Sequence, residues 1–184
     1  MQTRDVVFIA LFAAIIAALA VFPPITLPVV AVPITAQSLG VMLAGGVLGA
    51  KRGGLAVVLL LVLVAIGLPL LSGGRGGLGV FFGPTAGYLV GWVAAAFLIG
   101  YLTEKLWHRL NFIYAFLICI CGGVLLLYAI GIPWSAYVAK ITIATAFAGS
   151  MPFIPGDIIK ALVAAAVMVT VKRSYPLIGS RAAA

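Results

Sequence analysis

Asp157 and Lys160 are the two side chains best placed for chemistry in this sequence. They stand three residues apart after Pro155-Gly156, where proline favours the first turn of a helix, so they share one helix face. Charged residues inside apolar segments are functional candidates because their burial is expensive. The same spacing also suits a local ion pair with Asp157 in the first helical turn. The residues alone therefore leave a structural role and a ligand-binding role open.

A glycine-rich loop supplies the second candidate, Arg75, within Ser72-Gly73-Gly74-Arg75-Gly76-Gly77-Leu78-Gly79. Glycine lets backbone approach a ligand closely, and an arginine can hold a carboxylate in a two-pronged hydrogen bond. A loop arginine that only meets water is an equally good interpretation. The stretch formally matches G-x-G-x-x-G from Gly74, but it follows an apolar helix rather than a strand, so a dinucleotide site is rejected. The remaining candidates are Thr35 and Gln37 at a helix start, Tyr88 with Trp92, and Lys140. A glutamine at a helix start is more often simply hydrogen-bonded within the protein, and aromatic residues near a membrane interface are more often anchors.

The amino-acid composition predicts that most of this chain lies in a lipid bilayer. The chain has 184 residues, of which 65% are hydrophobic and 8% are charged, whereas soluble domains have about 25% charged residues. The net charge of +8 comes from basic residues scattered between apolar runs, which is typical of membrane topology rather than of nucleic-acid binding. The sequence has no P-loop, no H-E-x-x-H and no zinc-ligand spacing. We therefore expect no ATPase activity, no enzyme activity, no metal and no cofactor.

The apolar runs predict a single all-α membrane domain over residues 1–184 with six transmembrane helices. Lys51-Arg52-Gly53 is predicted as a tight turn, and the four prolines of Pro23–Thr35 predict an ordered loop that is not helical. The stretch 133–149 is short and carries Lys140, so it is predicted as a partial helix. The six helices are expected at about 5–22, 36–50, 54–68, 84–105, 112–131 and 156–173.

The basic residues predict the orientation of these helices. Short cytoplasmic loops are enriched in Lys and Arg. Six crossings with both termini in the cytoplasm place most basic residues inside and leave Arg75, Lys140, Asp157 and Lys160 outside. A seventh crossing at 133–150 would put the basic C-terminal segment outside, so it is disfavoured. These four charged residues lie in or beside apolar segments, so they are functional candidates on the outer side.

Small residues recur every four positions on the first helix, at Ala10, Ala14 and Ala18. This spacing allows close helix–helix approach. It serves either packing within the bundle or docking of another membrane subunit.

Four stretches of the sequence carry a shared pattern of motifs: Pro33-Ile34-Thr35-Ala36-Gln37-Ser38-Leu39-Gly40-Val41-Met42-Leu43-Ala44-Gly45, Gly49-Ala50-Lys51-Arg52-Gly53, the glycine-rich loop with Gly83-Pro84-Thr85-Ala86-Gly87-Tyr88, and Pro152-Phe153-Ile154-Pro155-Gly156-Asp157-Ile158-Ile159-Lys160. Together these stretches resemble the BioY family, the biotin-binding S components of energy-coupling-factor (ECF) transporters. The resemblance implies a six-helix subunit of a bacterial or archaeal cytoplasmic membrane that captures biotin from outside, in a pocket made by the outer loops and helix ends. It also implies a transmembrane T component and two cytoplasmic ATPases as partners, with the alanines of the first helix as the docking face. A homo-oligomer is a further possibility.

The chemistry of biotin can be set against the candidate residues. Asp157 can accept from the ureido N–H groups, Lys160 can donate to an oxygen, and Arg75 or Lys140 can meet the carboxylate. The rings of Tyr88, Trp92 and Phe153 can cover the thiophane ring, and the Pro23–Thr35 loop can act as a lid. Gln37, Thr35 and Gly74 complete the expected binding set.

Other function classes use the same residues differently. A proton-coupled carrier would use Asp157 as its proton site, although the chain has few crossings for two repeat halves. A membrane enzyme would need paired catalytic groups beyond one acid–lysine pair. A purely structural subunit would leave the glycine–arginine loop unexplained.

Overall fold

Helices dominate the part of the chain that the computed structural model describes, residues 2–23, 25–27, 30–175 and 177–178. Three helices precede the glycine-rich loop and five follow it. They are α1 (Thr3–Ala18), α2 (Gln37–Leu48), α3 (Ala50–Ala65), α4 (Ala86–Lys105), α5 (Phe112–Ile120), α6 (Leu127–Ala139), α7 (Ile143–Ser150) and α8 (Ile154–Ser174).

Several of these helices join end to end into longer rods. A π-helical segment, Cys121–Leu126, connects α5 to α6, and a 3₁₀ turn, Met151–Phe153, connects α7 to α8. In the described residues, four helical stretches are long and apolar enough to cross a membrane: Thr3–Val21, Ala86–Lys105, Phe112–Ala139 and Ile143–Ser174. Helices α2 and α3, with 12 and 16 residues, are about 18 and 24 Å long, shorter than the roughly 30 Å hydrocarbon core.

The proline-rich segment, predicted as an ordered loop that is not helical, forms two short strands where it is described, and the rest of the fold is helical as predicted. Strands β1 (Ile25–Leu27) and β2 (Val30–Ile34) pair antiparallel, with Ile25 opposite Ile34. A two-stranded sheet has only edge strands, and an edge strand tolerates the missing N–H of a proline such as Pro33. The predicted loop lies partly outside the described residues, at positions 24, 28 and 29.

The predicted helix end near Gly131 is wrong. The helix continues through Pro133 to Ala139 and ends where Lys140 adopts a left-handed conformation, with φ 55° and ψ 39°. One missing N–H within a membrane helix is tolerated because neighbouring groups and local π-helical adjustments compensate for it. The 133–149 segment therefore comprises the last part of one long helix, which ends at Ala139, and the short α7.

The predicted basic turn is also shifted. The chain reverses at Gly49, whose φ is 85°, and α3 begins at Ala50, so Lys51 and Arg52 belong to its first turn. Glu104 caps this helix start, because its Oε1 accepts a hydrogen bond from the Ala50 N–H at 2.9 Å. A residue with a side chain disfavours the positive φ, which explains why the glycine rather than the basic pair makes the turn.

Helix α2 forms the centre of the bundle and packs against α1, α3, α4 and α8. Ten of its twelve residues are buried. A Cβ added at Gly45 would lie 2.4 Å from the carbonyl oxygen of Ala96, so only glycine permits the observed approach of α2 to α4. Small residues at membrane helix contacts allow such backbone proximity.

Both described ends of the chain lie together at the end of the bundle opposite Asp157. The buried Arg52 pairs with Asp5 at 3.4 Å and donates to the Leu177 carbonyl at 3.0 Å. Arg4 donates to the Tyr175 hydroxyl at 2.9 Å. The chain start, the start of α3 and the end of α8 carry basic residues that the charge pattern assigned to one side of the membrane. These three segments therefore lie at the same end of the helix bundle.

Candidate functional site: a cavity at the start of three helices

A cavity opens where α2, α4 and α8 begin and the glycine-rich loop folds over them. Its empty space, counted out to open solvent, is about 580 Å³. Most of its wall is apolar, and its polar groups come from separate elements. The lining residues are Thr35, Gln37, Ser38, Leu71, Arg75, Thr85, Tyr88, Leu89, Trp92, Leu127, Tyr128, Phe153, Asp157 and Lys160.

Asp157 and Lys160 form an ion pair on the α8 wall of this cavity. Lys160 Nζ lies 2.9 Å from Asp157 Oδ1, and the side chains are 15% and 8% exposed, respectively. Lys160 also donates to Ser38 Oγ on α2 at 3.0 Å. The predicted sharing of a helix face is confirmed, and the pair faces the cavity. Removal of either partner would leave a poorly solvated charge.

Tyr128 is a site residue that the sequence analysis missed. Its hydroxyl donates a hydrogen bond to Asp157 Oδ2, so both carboxylate oxygens have partners. Its ring packs edge-on against Tyr88, with centroids 6.3 Å apart, and the Tyr88 hydroxyl lies 3.3 Å from Ser150 Oγ. A tyrosine hydroxyl within an apolar helix requires a hydrogen-bond partner. That requirement is the feature of the sequence that could have marked Tyr128 as a site residue.

Arg75 reaches the cavity from the glycine-rich loop. Its guanidinium donates to the Ser72 carbonyl at 3.2 Å and to Thr85 Oγ1 at 3.5 Å. Partial burial lowers the pKa of Arg75 below its ordinary value by desolvation. Across the described part of the chain, the ion pairs are Asp5–Arg52 and Asp157–Lys160. Arg75 therefore brings a cation without a carboxylate partner to the wall.

Gln37 borders the cavity but its amide is fully engaged within the protein. Its Nε2 donates to the carbonyls of Ile16 and Leu70, at 3.1 and 3.0 Å. Its Oε1 accepts from the N–H and the hydroxyl of Ser72, at 2.9 and 3.2 Å. These bonds tie the glycine-rich loop to α1 and α2, so Gln37 supports the loop that carries Arg75.

Two predicted residues lie outside the cavity lining. Gly74 has φ 69° and is exposed, with its space open, so it shapes the loop beside Arg75. Lys140 is exposed at the end of α6. Thr35, Tyr88, Trp92 and Phe153 line the cavity, and their contact with a ligand stays a prediction.

The cavity thus combines one anionic group, two cationic groups and several rings. It can accept hydrogen bonds at Asp157, donate them at Lys160 and Arg75, and pack an apolar body against Tyr88 and Trp92. This arrangement suits a small amphipathic ligand that carries an anion and a polar group able to donate.

Comparison with known proteins identifies the family. The model of the BioY family matches residues 1–177. The chain belongs to the BioY family. Among curated relatives of this family, the biotin transporter BioY of Rhizobium etli is 56% identical over 187 residues, covering 99% of this chain and 100% of that protein. The biotin transporter BioY of Rhodobacter capsulatus is 48% identical, covering 94% and 95% of the two chains.

A solved structure shares the fold. The crystal structure of the S-component for biotin from an ECF-type ABC transporter superimposes with a TM-score of 0.91 at 33% identity, covering 96% of this chain and 97% of that one. The BioY family resemblance stated from sequence motifs is confirmed, and the apolar helices mark the chain as a membrane protein.

Proposed function

We propose that this protein captures biotin with high affinity as the substrate-binding subunit of an ECF-type ABC transporter. Relatives with 56% and 48% identity are biotin transporters, and the matching structure is a biotin S-component. The observation that carries the proposal is the placement of Asp157, Lys160 and Arg75 around one aromatic cavity. The protein is a binding subunit for transport and not an enzyme.

The polar groups of biotin suit the walls of this cavity. The ureido N–H groups donate to Asp157, and Lys160 donates to the ureido oxygen. Charge-assisted hydrogen bonds of this kind are the strongest that a neutral ring can make. Arg75 is the cation in the cavity without a carboxylate partner among the described residues, so it receives the biotin carboxylate. Tyr88 and Trp92 cover the thiophane ring, with Phe153 closing the wall.

The remaining predicted residues have supporting places in this proposal. Thr35 lines the cavity at the end of β2 and offers a hydroxyl. Gln37 acts through the loop that it holds, and Gly74 lets that loop turn beside Arg75. Lys140, exposed at the end of α6, is the alternative cation for the carboxylate.

We place six membrane-crossing helical stretches with both termini in the cytoplasm of a bacterium or archaeon. Contacts at the end away from the cavity join Arg4, Asp5 and Arg52 to Tyr175 and Leu177, and basic residues favour the cytoplasmic side. The cavity then opens outward.

A T component and two ATPase subunits would supply transport energy in this proposal. Ala10, Ala14 and Ala18 are exposed on α1, as expected of a flat docking face for the T component.

The test is calorimetric titration of biotin into the detergent-solubilised protein, with Asp157→Asn and Lys160→Ala in parallel. We expect one tight site in the wild type and its loss in both variants. No heat and no thermal shift with biotin would overturn the proposed ligand. Biotin uptake that collapses with an uncoupler at constant ATP would instead favour the proton-coupled carrier.

A matched pair of cation variants locates the carboxylate. Arg75→Ala should weaken biotin binding, whereas Lys140→Ala should leave it unchanged because Lys140 lies outside the cavity. The reverse result would assign the carboxylate to Lys140.

A further inference from the structure

A second hollow lies on the exposed apolar surface between α3 and α4, away from the cavity that holds Asp157 and Lys160. Its empty space is about 1090 Å³. Nine of its ten lining residues are apolar, among them Val58, Val90 and Phe97, and the tenth is Lys51. Val58, Val90 and Phe97 are 39%, 59% and 53% exposed. Nothing in the biotin proposal uses this surface.

The hollow extends along the helix axis. It begins at Lys51 in the first turn of α3 and reaches Val58, where it meets a further apolar hollow that is lined also by Val62, Ala65 and Phe81. The two hollows together form a continuous groove, here called the α3–α4 furrow. The distance from Lys51 to Ala65 is about 21 Å along the helix. One leaflet of hydrocarbon is about 15 Å thick, so the furrow is long enough for one acyl chain.

Charge marks only one end of the furrow. Glu104 contacts Ala50, which places the neighbouring Lys51 and Lys105 at the same end of the bundle. The Lys105 ammonium lies 6.0 Å from the ring centre of Tyr101, and Tyr101 is 48% exposed. This end of the furrow therefore has two lysines, a half-exposed tyrosine and one acid, Glu104, whose carboxylate already accepts a hydrogen bond. Such a surface suits an anionic headgroup at the membrane interface.

We propose that the α3–α4 furrow holds one acyl chain of an anionic phospholipid whose phosphate lies at Lys51 and Lys105. The occupant is a lipid rather than a second copy of the chain for an electrostatic reason. A two-fold dimer through this face would bring the Lys51 side chains of both copies to the same depth, where like charges repel. The phosphate of a lipid at that depth pairs with the Lys51 ammonium. The rest of the furrow is apolar, which suits the acyl chain.

The test is native mass spectrometry of the detergent-purified full chain with equal phosphatidylglycerol and phosphatidylcholine of matched acyl chains. We expect one retained phosphatidylglycerol, in excess over phosphatidylcholine by roughly five-fold, the effect of one lysine near a membrane surface. Lys51→Gln should reduce this preference toward parity. Arg173→Gln removes an exposed basic residue on α8 and should preserve it. Equal retention of both lipids by the wild type, or an equal effect of Arg173→Gln, would overturn the proposal.

A second variant tests the furrow itself. Val58→Trp places a ring in the furrow and should abolish retention of both lipids. Leu117→Trp on α5, at a position 54% exposed, is its control and should retain phosphatidylglycerol. Lipid retained by Val58→Trp would place the lipid elsewhere. A lipid-free dimer that Val58→Trp dissociates would show that the furrow is a protein interface. Lipid retention does not depend on biotin, so this proposal stands or falls separately from the proposed function.

Discussion

Substitution of Asp157 and Lys160, singly and together, distinguishes two roles of this ion pair: a purely structural role and a role in ligand binding. The two side chains are only 8% and 15% exposed and lie 2.9 Å apart. Loss of one partner of such a buried pair costs about 3–5 kcal/mol. We expect the lower end, about 3 kcal/mol, because Lys160 keeps Ser38 as a partner and Asp157 keeps Tyr128. In a chain of this size, that is a loss of roughly 6–12 °C in Tm.

The double variant Asp157→Asn/Lys160→Met should behave differently in stability and in binding. Because it removes both charges, it should be no less stable than either single variant, which makes the coupling energy about 3 kcal/mol. Biotin affinity, by contrast, should fall about 10- to 150-fold in each single variant, the equivalent of one lost charged hydrogen bond, and further in the double variant, which alters both.

The assay combines thermal unfolding in detergent with calorimetric titration of biotin. Arg173→Met, an exposed basic residue on the same helix but at its opposite end, is the control for charge removal and should change neither readout. A double variant that binds biotin as the wild type does would refute the ligand-binding role and leave the pair purely structural. Single-variant costs that add in the double variant would refute the coupling.

Three further outcomes test neighbouring features. Tyr128→Phe removes the hydroxyl that holds Asp157 Oδ2 and should weaken biotin up to about 10-fold in calorimetry; unchanged affinity would contradict a positioning role. Arg75→Lys should weaken biotin but not biotin methyl ester, because only the free carboxylate uses the two-pronged guanidinium; equal losses would contradict this assignment. Gly45→Ala would place Cβ 2.4 Å from a backbone oxygen of α4, whereas at Gly54 the nearest atom is 3.9 Å away. Thermal unfolding should therefore show a loss of about 1–3 kcal/mol for Gly45→Ala and little change for Gly54→Ala.

Much of the candidate site could be predicted from residue types and spacing. Asp157 and Lys160 share a helix face because the helical period places them there, and Arg75 is conspicuous among glycines. Tyr128 could not be placed, because its partner lies 29 residues away and only helix packing joins them. Gln37 was predicted as a ligand group, but the structure uses all of its amide hydrogen bonds to hold the glycine-rich loop.

Hydropathy, helical period and charge are local properties of the amino-acid sequence. They were therefore enough to predict the membrane class, the positions of most helices and the grouping of basic residues at one end of the bundle. The tertiary structure decided where the chain turns at Gly49 and that the helix continues past Pro133, because packing and neighbouring hydrogen bonds outweigh local propensity there. It also decided which polar residues meet. Asp157, Lys160, Tyr128 and Arg75 come from three distant segments, and only the packing of α2, α4, α6 and α8 brings them around one cavity.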